Sequence, residues 1–318
     1  MRARVAMRMP ATIVRFAAIL ETGPAGRDSF LTELTKMNIR EFQQRVEKEW
    51  AADETAAAWQ MHYPTMTAQM ADVTNALVDA AAPRPGMAVL DLASGTGQPA
   101  LTIARRVAPG GKVTATDLSK AMLSALADNA RSEGVGNVET KVADAQLLPF
   151  PDASFDLVTS RFGVMFFADT ARALGEIKRV LKPGGRAVFL VWGAPEPGSY
   201  FGTMVMPYMK RVSVKPDPDG PGPMRFAEPG KLLRLVQATG FRDAKEQVLR
   251  IPAPYRGTPK ELFRSLTEIA VPFRAAVASL SEEERRAAER EVDENLRPLY
   301  DGTQTKVFAP VLIVTGLC

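Results

Sequence analysis

Between residues 84 and 192, short apolar runs alternate with segments whose apolar positions recur every three or four residues. The runs are MAVLDLA, KVTATDL, VETKVAD, FDLVTSRF and RAVFLVW. Each is short, contains Val, Leu, Ala or Phe and is bounded by turn residues, which predicts a strand. The segments QPALTIARRVA, KAMLSALADNARSEG and TARALGEIKRVL have helical spacing, and Ser119 stands at the N-cap position of the second. The third helix is expected to stop at KPGG. Strands that alternate with helices predict a doubly wound, mostly parallel sheet with helices on both faces.

The flanks differ. Ile39, Phe42, Val46 and Trp50 predict one helix from 38 to about 58, and a second spans about 64–82, closed by PRPG. After Trp192 the alternation breaks into a Pro-, Gly- and Met-rich stretch, 194–227. Helix GKLLRLVQATG and strand KEQVLRI resume the core, and TKVFAPVLIVTG supplies a seventh strand. Between them lies a helical insertion containing SEEERRAAEREVDENL, whose charge predicts a solvated face. The expected organisation is an extension over 1–36, disordered, and one domain over 37–318. Its core is 84–193, 228–252 and 303–318, with cap insertions at 194–227 and 253–302.

Composition narrows the function classes. Of 318 residues, 46% are hydrophobic and 24% charged, an ordinary globular balance. The net charge of +4 equals the charge of Arg2, Arg4, Arg8 and Arg15, which share residues 1–20 with no acid. The remainder is neutral and lacks basic runs interleaved with aromatics, so a nucleic-acid substrate is not expected. The tail's apolar run is shorter than the roughly 20 residues that span a bilayer, so stable membrane insertion is not expected either. Met37 would be a natural alternative start. One cysteine, Cys318, allows no intrachain disulfide, and a cytoplasmic setting fits. Composition says nothing of the oligomeric state.

The chemistry concentrates in VLDLASGTGQPA, residues 89–100. Gly95-X-Gly97-X-X-Ala100 after a strand, with Asp117 ending the next strand, satisfies a dinucleotide fingerprint and would suit an NAD(P)-dependent oxidoreductase. Three features favour a different nucleotide ligand. Asp91, four residues before Gly95, would repel a pyrophosphate but suits the ammonium and sulfonium of S-adenosylmethionine. Pro99 removes an N–H where a pyrophosphate needs donors. Asp144, at the end of the third strand, can accept from an adenine amino group. The three acids would line one crevice at the carboxyl edge of the sheet. No Tyr-Lys pair or strand-end His of a dehydrogenase accompanies them.

The series VLDLASGTGQPAL, VTATDLSKAML, VADAQLLPFPDASFDLV and LKPGGRAVFLVW resembles the class I S-adenosylmethionine-dependent methyltransferases. It is most similar to the small-molecule branch that includes the ubiquinone and menaquinone biosynthesis methyltransferases. The resemblance covers about residues 60–192, and the last strand more loosely. It implies a Rossmann-like seven-stranded sheet, N-terminal lid helices and S-adenosyl-L-methionine as cofactor. Ala93 replaces the first glycine of the family's loop, a change expected to confine φ there to negative values.

Carried over by position, the resemblance implies that Asp91 and the backbone of Ala93, Gly95 and Gly97 hold the methionine moiety, with Gln98 and Tyr63 near it. Asp117 would bind the ribose hydroxyls, Leu118 and Met122 flank the adenine, and Asp144 and Ala145 meet its edge. Arg161 and Phe162 would lie near the methionine carboxylate and the acceptor entrance. His62, the only histidine, is the candidate general base. Tyr200, Phe201, Met204, Met206, Tyr208 and Met209, with Phe263 and Phe273, would favour a small apolar or aromatic acceptor. No metal is implied. A protein that binds the cofactor without turnover also fits, because methyl transfer needs few side chains.

Overall fold

The computed structural model describes residues 39–41, 43–213 and 217–318. The expectations for residues 1–36, Met37 and Phe42 lie outside these. Seven strands form one sheet: β1 (Ala88–Leu92), β2 (Lys112–Asp117), β3 (Val138–Val142), β4 (Phe155–Arg161), β5 (Leu181–Trp192), β6 (Arg242–Pro252) and β9 (Phe308–Leu317). Their spatial order is β3-β2-β1-β4-β5-β9-β6. The first five run parallel, and β9 is antiparallel to both β5 and β6. β9 occupies the inner position because its apolar run is buried on both faces, whereas the polar β6 is left at the edge. A two-residue ribbon, β7 (Tyr255–Arg256) with β8 (Gln304–Thr305), closes the base of the insertion.

Three expectations need correction. The first N-terminal helix does not run to 58. The chain leaves helix at Ala51 and Ala52, and restarts as Asp53–Met61, whose first turn carries Asp53 and Glu54. Acids there complement the exposed N–H groups of a new helix start, so the break is stabilised locally. The second helix is likewise two pieces, Tyr63–Gln69 and Ala71–Ala81. Pro64 favours the restart just after His62. KPGG is not a free turn, because β5 begins at Leu181 and carries these residues through a register shift opposite Phe155 and Leu157. Pro183 is tolerated at such an irregular strand start.

The insertion folds as helices Pro259–Ile269, Val271–Ala278 and Glu282–Leu296. The first and last start in capping boxes, Thr258 with Glu261 and Ser281 with Glu284. The charged helix is not wholly solvated: Ala288, Val292 and Leu296, four residues apart, form a buried stripe. Its Glu291 pairs with Lys210 and Arg211 of the 194–227 segment, so the two insertions form one cap. Among the described residues no helix is long and apolar enough to cross a membrane.

Candidate active site at the strand ends

β1 leaves the sheet at Leu92 and turns through Ala93–Pro99 into helix Ala100–Val107. Ala93, Gly95 and Gly97 all have positive φ, at 53°, 53° and 136°. The expectation of a negative φ at Ala93 is therefore overturned. The loop keeps a left-handed residue there at a cost of roughly 1–2 kcal/mol. Gly163 provides the room, since a Cβ on it would come within 2.5 Å of the Ala93 methyl and of Ser160 Oγ. Gly97 is needed both for its φ and for close packing, because a side chain there would press on Leu101 and approach the Tyr63 hydroxyl. The turn is closed by Ser94 N–H to Thr116 O (2.9 Å) and Gly97 N–H to Ser94 O (3.1 Å).

Asp91 lies fully buried beneath this loop. Its Oδ1 accepts from the Thr159 hydroxyl at 2.6 Å, across the β1–β4 pairing. Its Oδ2 has no partner within the protein. The Ser94 hydroxyl nearby donates to the Asp91 main-chain carbonyl instead (2.9 Å). Burial raises the Asp91 carboxyl to about 6 despite the Thr159 bond and the Arg161 charge. Arg161, at the end of β4, donates from Nη1 to Thr74 Oγ1 at 2.7 Å, while its Nε is buried without a partner. Burial lowers its guanidinium to about 10, opposed by Asp91 and Tyr63. The fully buried Asp91 and the half-buried Arg161 thus each keep one buried, unsatisfied polar atom, and a zwitterionic ligand would satisfy both.

Asp117 closes β2. Its two oxygens accept from Gly95 N–H (3.0 Å) and Ser119 N–H (2.9 Å). Burial raises its carboxyl, against these backbone bonds. Each oxygen retains acceptor capacity beyond these bonds. Ser119 caps helix Lys120–Ser132 as expected, accepting from Met122 N–H. Leu118 is half-buried and Met122 buried beside this start. Asp144 lies two residues past β3. Gln146 caps its Oδ1 through backbone and side chain, and Gln43 donates to Oδ2. Ala145 beside it is buried.

Tyr63 reaches the loop from the lid. Its hydroxyl donates to Glu133 Oε1 at 2.7 Å and lies 3.5 Å from Gln98 Nε2. Burial, and next the Glu133 bond, push its phenol to about 12, so it acts as a donor and not as a base at neutral pH. Asp91, Ala93, Gly95, Gly97, Gln98, Asp117 and Tyr63 therefore gather around one loop, and the Arg161 charge at the end of β4 acts on Asp91 from the neighbouring strand. His62 turns the other way, its Nε2 2.5 Å from Glu268 of the cap. Phe162 (φ 59°) stacks on Trp192 at 4.1 Å, and Trp192 in turn on Tyr200 at 5.8 Å. Sequence reasoning missed Thr159, Thr74, Glu133 and Asn129. Thr159 alone had a local signal, a polar residue inside the apolar run FDLVTSRF.

A cavity of about 470 Å³ opens between the cap helices, lined in part by Phe273, Arg274, Val277, Leu280 and Arg285. None of the strand-end residues lines it. Among the described residues no cluster of three His, Cys, Asp or Glu could hold a metal ion.

Residues 61–213 match the model of the ubiE/COQ5 methyltransferase family. The chain is 44% identical over 135 residues to a demethylmenaquinone methyltransferase of Thermus thermophilus, covering 42% of this chain and 60% of that one. It is 34% identical over 186 residues to a ubiquinone/menaquinone biosynthesis C-methyltransferase of Geobacter sulfurreducens, covering 54% of this chain and 72% of that one. Against several other relatives the matched stretch spans only about half their length, 48% for that of Shewanella halifaxensis. In fold, a phosphoethanolamine N-methyltransferase of Haemonchus contortus, solved with S-adenosyl-L-methionine, superposes with a TM-score of 0.51 at 20% identity. That match covers 87% of this chain and 59% of the other.

Proposed function

The chain belongs to the ubiE/COQ5 methyltransferase family, and from that premise we propose that it transfers a methyl group from S-adenosylmethionine to a small, apolar or aromatic acceptor. The observation that carries this is the buried Asp91 carboxylate with its unpartnered Oδ2, set beside Arg161 under a left-handed loop. A buried carboxylate with one unpartnered oxygen suits a ligand bearing a cation and opposes a pyrophosphate, which disfavours the NAD(P)-dependent alternative. When bound, the cofactor supplies a methyl group already activated by its positive sulfur.

The residues present fit that cofactor. Asp91 would take the methionine ammonium and Arg161 the carboxylate, with the loop backbone, Gln98 and Tyr63 around them. Asp117 would accept from the ribose hydroxyls while keeping Gly95 and Ser119 in place. Leu118 and Met122 would flank the adenine, and Asp144 and Ala145 its edge. The Phe162, Trp192, Tyr200 and Phe201 rings would wall the acceptor side. There the buried hydroxyls of Tyr200 and Thr203 have no partner within the protein. His62 would remove a proton from the acceptor where the nucleophile carries one, with Glu268 holding its ring as a carboxylate orients a catalytic imidazole. A cytoplasmic setting and a small-molecule partner, with no nucleic acid, belong to the same proposal.

Calorimetric titration with S-adenosylmethionine, S-adenosylhomocysteine and NADH in parallel tests it. Micromolar binding of both adenosyl ligands, lost in Asp117→Ala, is the expected result and would justify an acceptor screen. Binding of NADH alone would overturn the proposal. Adenosyl binding with no turnover across a broad set of phenol, enol and amine acceptors would leave a binding protein in place of an enzyme.

A further inference from the structure

Five residues of the lid, 59–63, carry contacts in two directions. Trp59 and His62 face the cap helix Pro259–Ile269: Trp59 Nε1 donates to Ile269 O at 3.1 Å, and His62 Nε2 lies 2.5 Å from Glu268 Oε2, which shares its carboxylate with Arg264. Gln60 and Tyr63 face helix Lys120–Ser132 and the residue after it. Gln60 and Asn129 exchange two amide hydrogen bonds, 2.8 and 2.9 Å, and Tyr63 donates to Glu133. The spacings match, i and i+3 on the lid against i and i+4 on the facing helix. Asn129 is buried, and its Nδ2 also donates to Thr96 O in the glycine loop at 2.8 Å. One side chain therefore bonds both the lid and the loop.

We propose that residues 59–63 form a strap that couples the glycine loop to the acceptor cap, with Asn129 and Gln60 as positioning residues. Occupation of the loop would then order the cap and hold His62 in place through Asn129 and Gln60. The inference deepens the proposed function and rests on it for the identity of the loop's ligand, but the coupling itself is a property of the free protein. A chain of packed elements carries coupling only if its links are stronger than its surroundings, and the buried Asn129 amide, bonded at once to Gln60 and to Thr96, meets that condition.

Amide hydrogen exchange tests it in the full chain. In the ligand-free protein, Gln60→Ala should speed exchange about tenfold in both 53–69 and 259–269, the effect of losing about 1.4 kcal/mol from the closed strap, and leave β4 and β5 unchanged. Faster exchange in 53–69 with 259–269 unaffected would overturn the coupling. With S-adenosylhomocysteine added, wild-type protein should gain protection in 259–269 and Gln60→Ala should not, while the affinities measured calorimetrically stay within threefold. Protection gained equally in both would also overturn it. Failure of the ligand to bind either protein would sink the cofactor assignment, and the ligand-free comparison would still decide the strap. Where turnover is measurable, Gln60→Ala should lower kcat and spare cofactor affinity. Asn129→Ala, which cuts the loop link as well, should weaken both.

Discussion

Asp91→Asn isolates the charge at the centre of the site. Burial raises the Asp91 carboxyl from 3.8 to about 6. Its folded value lies above the unfolded one, so its stabilising contribution is full below about 3.8 and is lost as pH rises through 6. At roughly 1.4 kcal/mol per pH unit, the full loss is on the order of 3 kcal/mol, of which about 2 falls between pH 4.5 and 7.5. The amide keeps an acceptor for Thr159 and places an unpaired NH₂ where Oδ2 was. That second effect is nearly constant with pH, and so cancels when the change in Tm across the window is compared between the two proteins. The wild type should lose about 4–8 °C more than the variant, at 2–4 °C per kcal/mol. Differential scanning fluorimetry in matched buffers measures it. Equal slopes, or a steeper fall in the variant, would refute a raised Asp91. The ligand arm has the opposite sign: an ammonium favours the ionised carboxylate, so adenosyl-ligand affinity should drop as pH falls below 6 in the wild type. In the variant it should be weaker by at least about tenfold, and flat.

Ala93→Gly should raise stability by about 0.5–1 kcal/mol in urea titration, because relief of the left-handed strain exceeds the added unfolded-state entropy. Gly163→Ala should cost about 1–3 kcal/mol by overpacking against Ala93 and Ser160, and combining it with Ala93→Gly should restore only part, since the Ser160 contact remains. His62→Gln should lower kcat about 10²-fold with acceptors that carry a dissociable proton and leave cofactor affinity unchanged. A variant with unaltered kcat would reduce His62 to its contact with the cap.

The parallel core was legible because β1, β2, β4 and β5 carry apolar runs between turn residues, a pattern set by local burial, whereas β3, VETKV at the sheet edge, is mostly exposed and was marked by its place in the alternation. The place of the last strand was less so. Nothing in TKVFAPVLIVTG names its neighbours, although its two-sided apolarity suits an inner position better than the alternating KEQVLRI. The breaks at Ala51–Ala52 and at Met70 escaped for the opposite reason: Ala and Met are good helix formers, so nothing in their identity marks an interruption. Ala93 shows the same limit at the site. Its identity argued for negative φ, but the loop's path is set by its neighbours, and the missing side chain at Gly163, distant in sequence, leaves the space.

The strand-end acids were legible as candidates because a doubly wound fold brings the carboxyl ends of its strands to one edge; the structure joins Asp117 to the Gly95 loop above Asp91, and leaves Asp144 with Gln146 and Gln43. Their supports were not, because Thr159, Asn129 and Gln60 act across 68 or 69 residues of chain and carry no motif. This division has a physical cause. Residues that meet a ligand sit on turns whose geometry demands particular types, and those types show locally. Residues that hold the turns need only an amide or hydroxyl at the right place in space. Perturbing the supports is therefore the sharper test of how the site works, since their roles follow from the assembled structure alone.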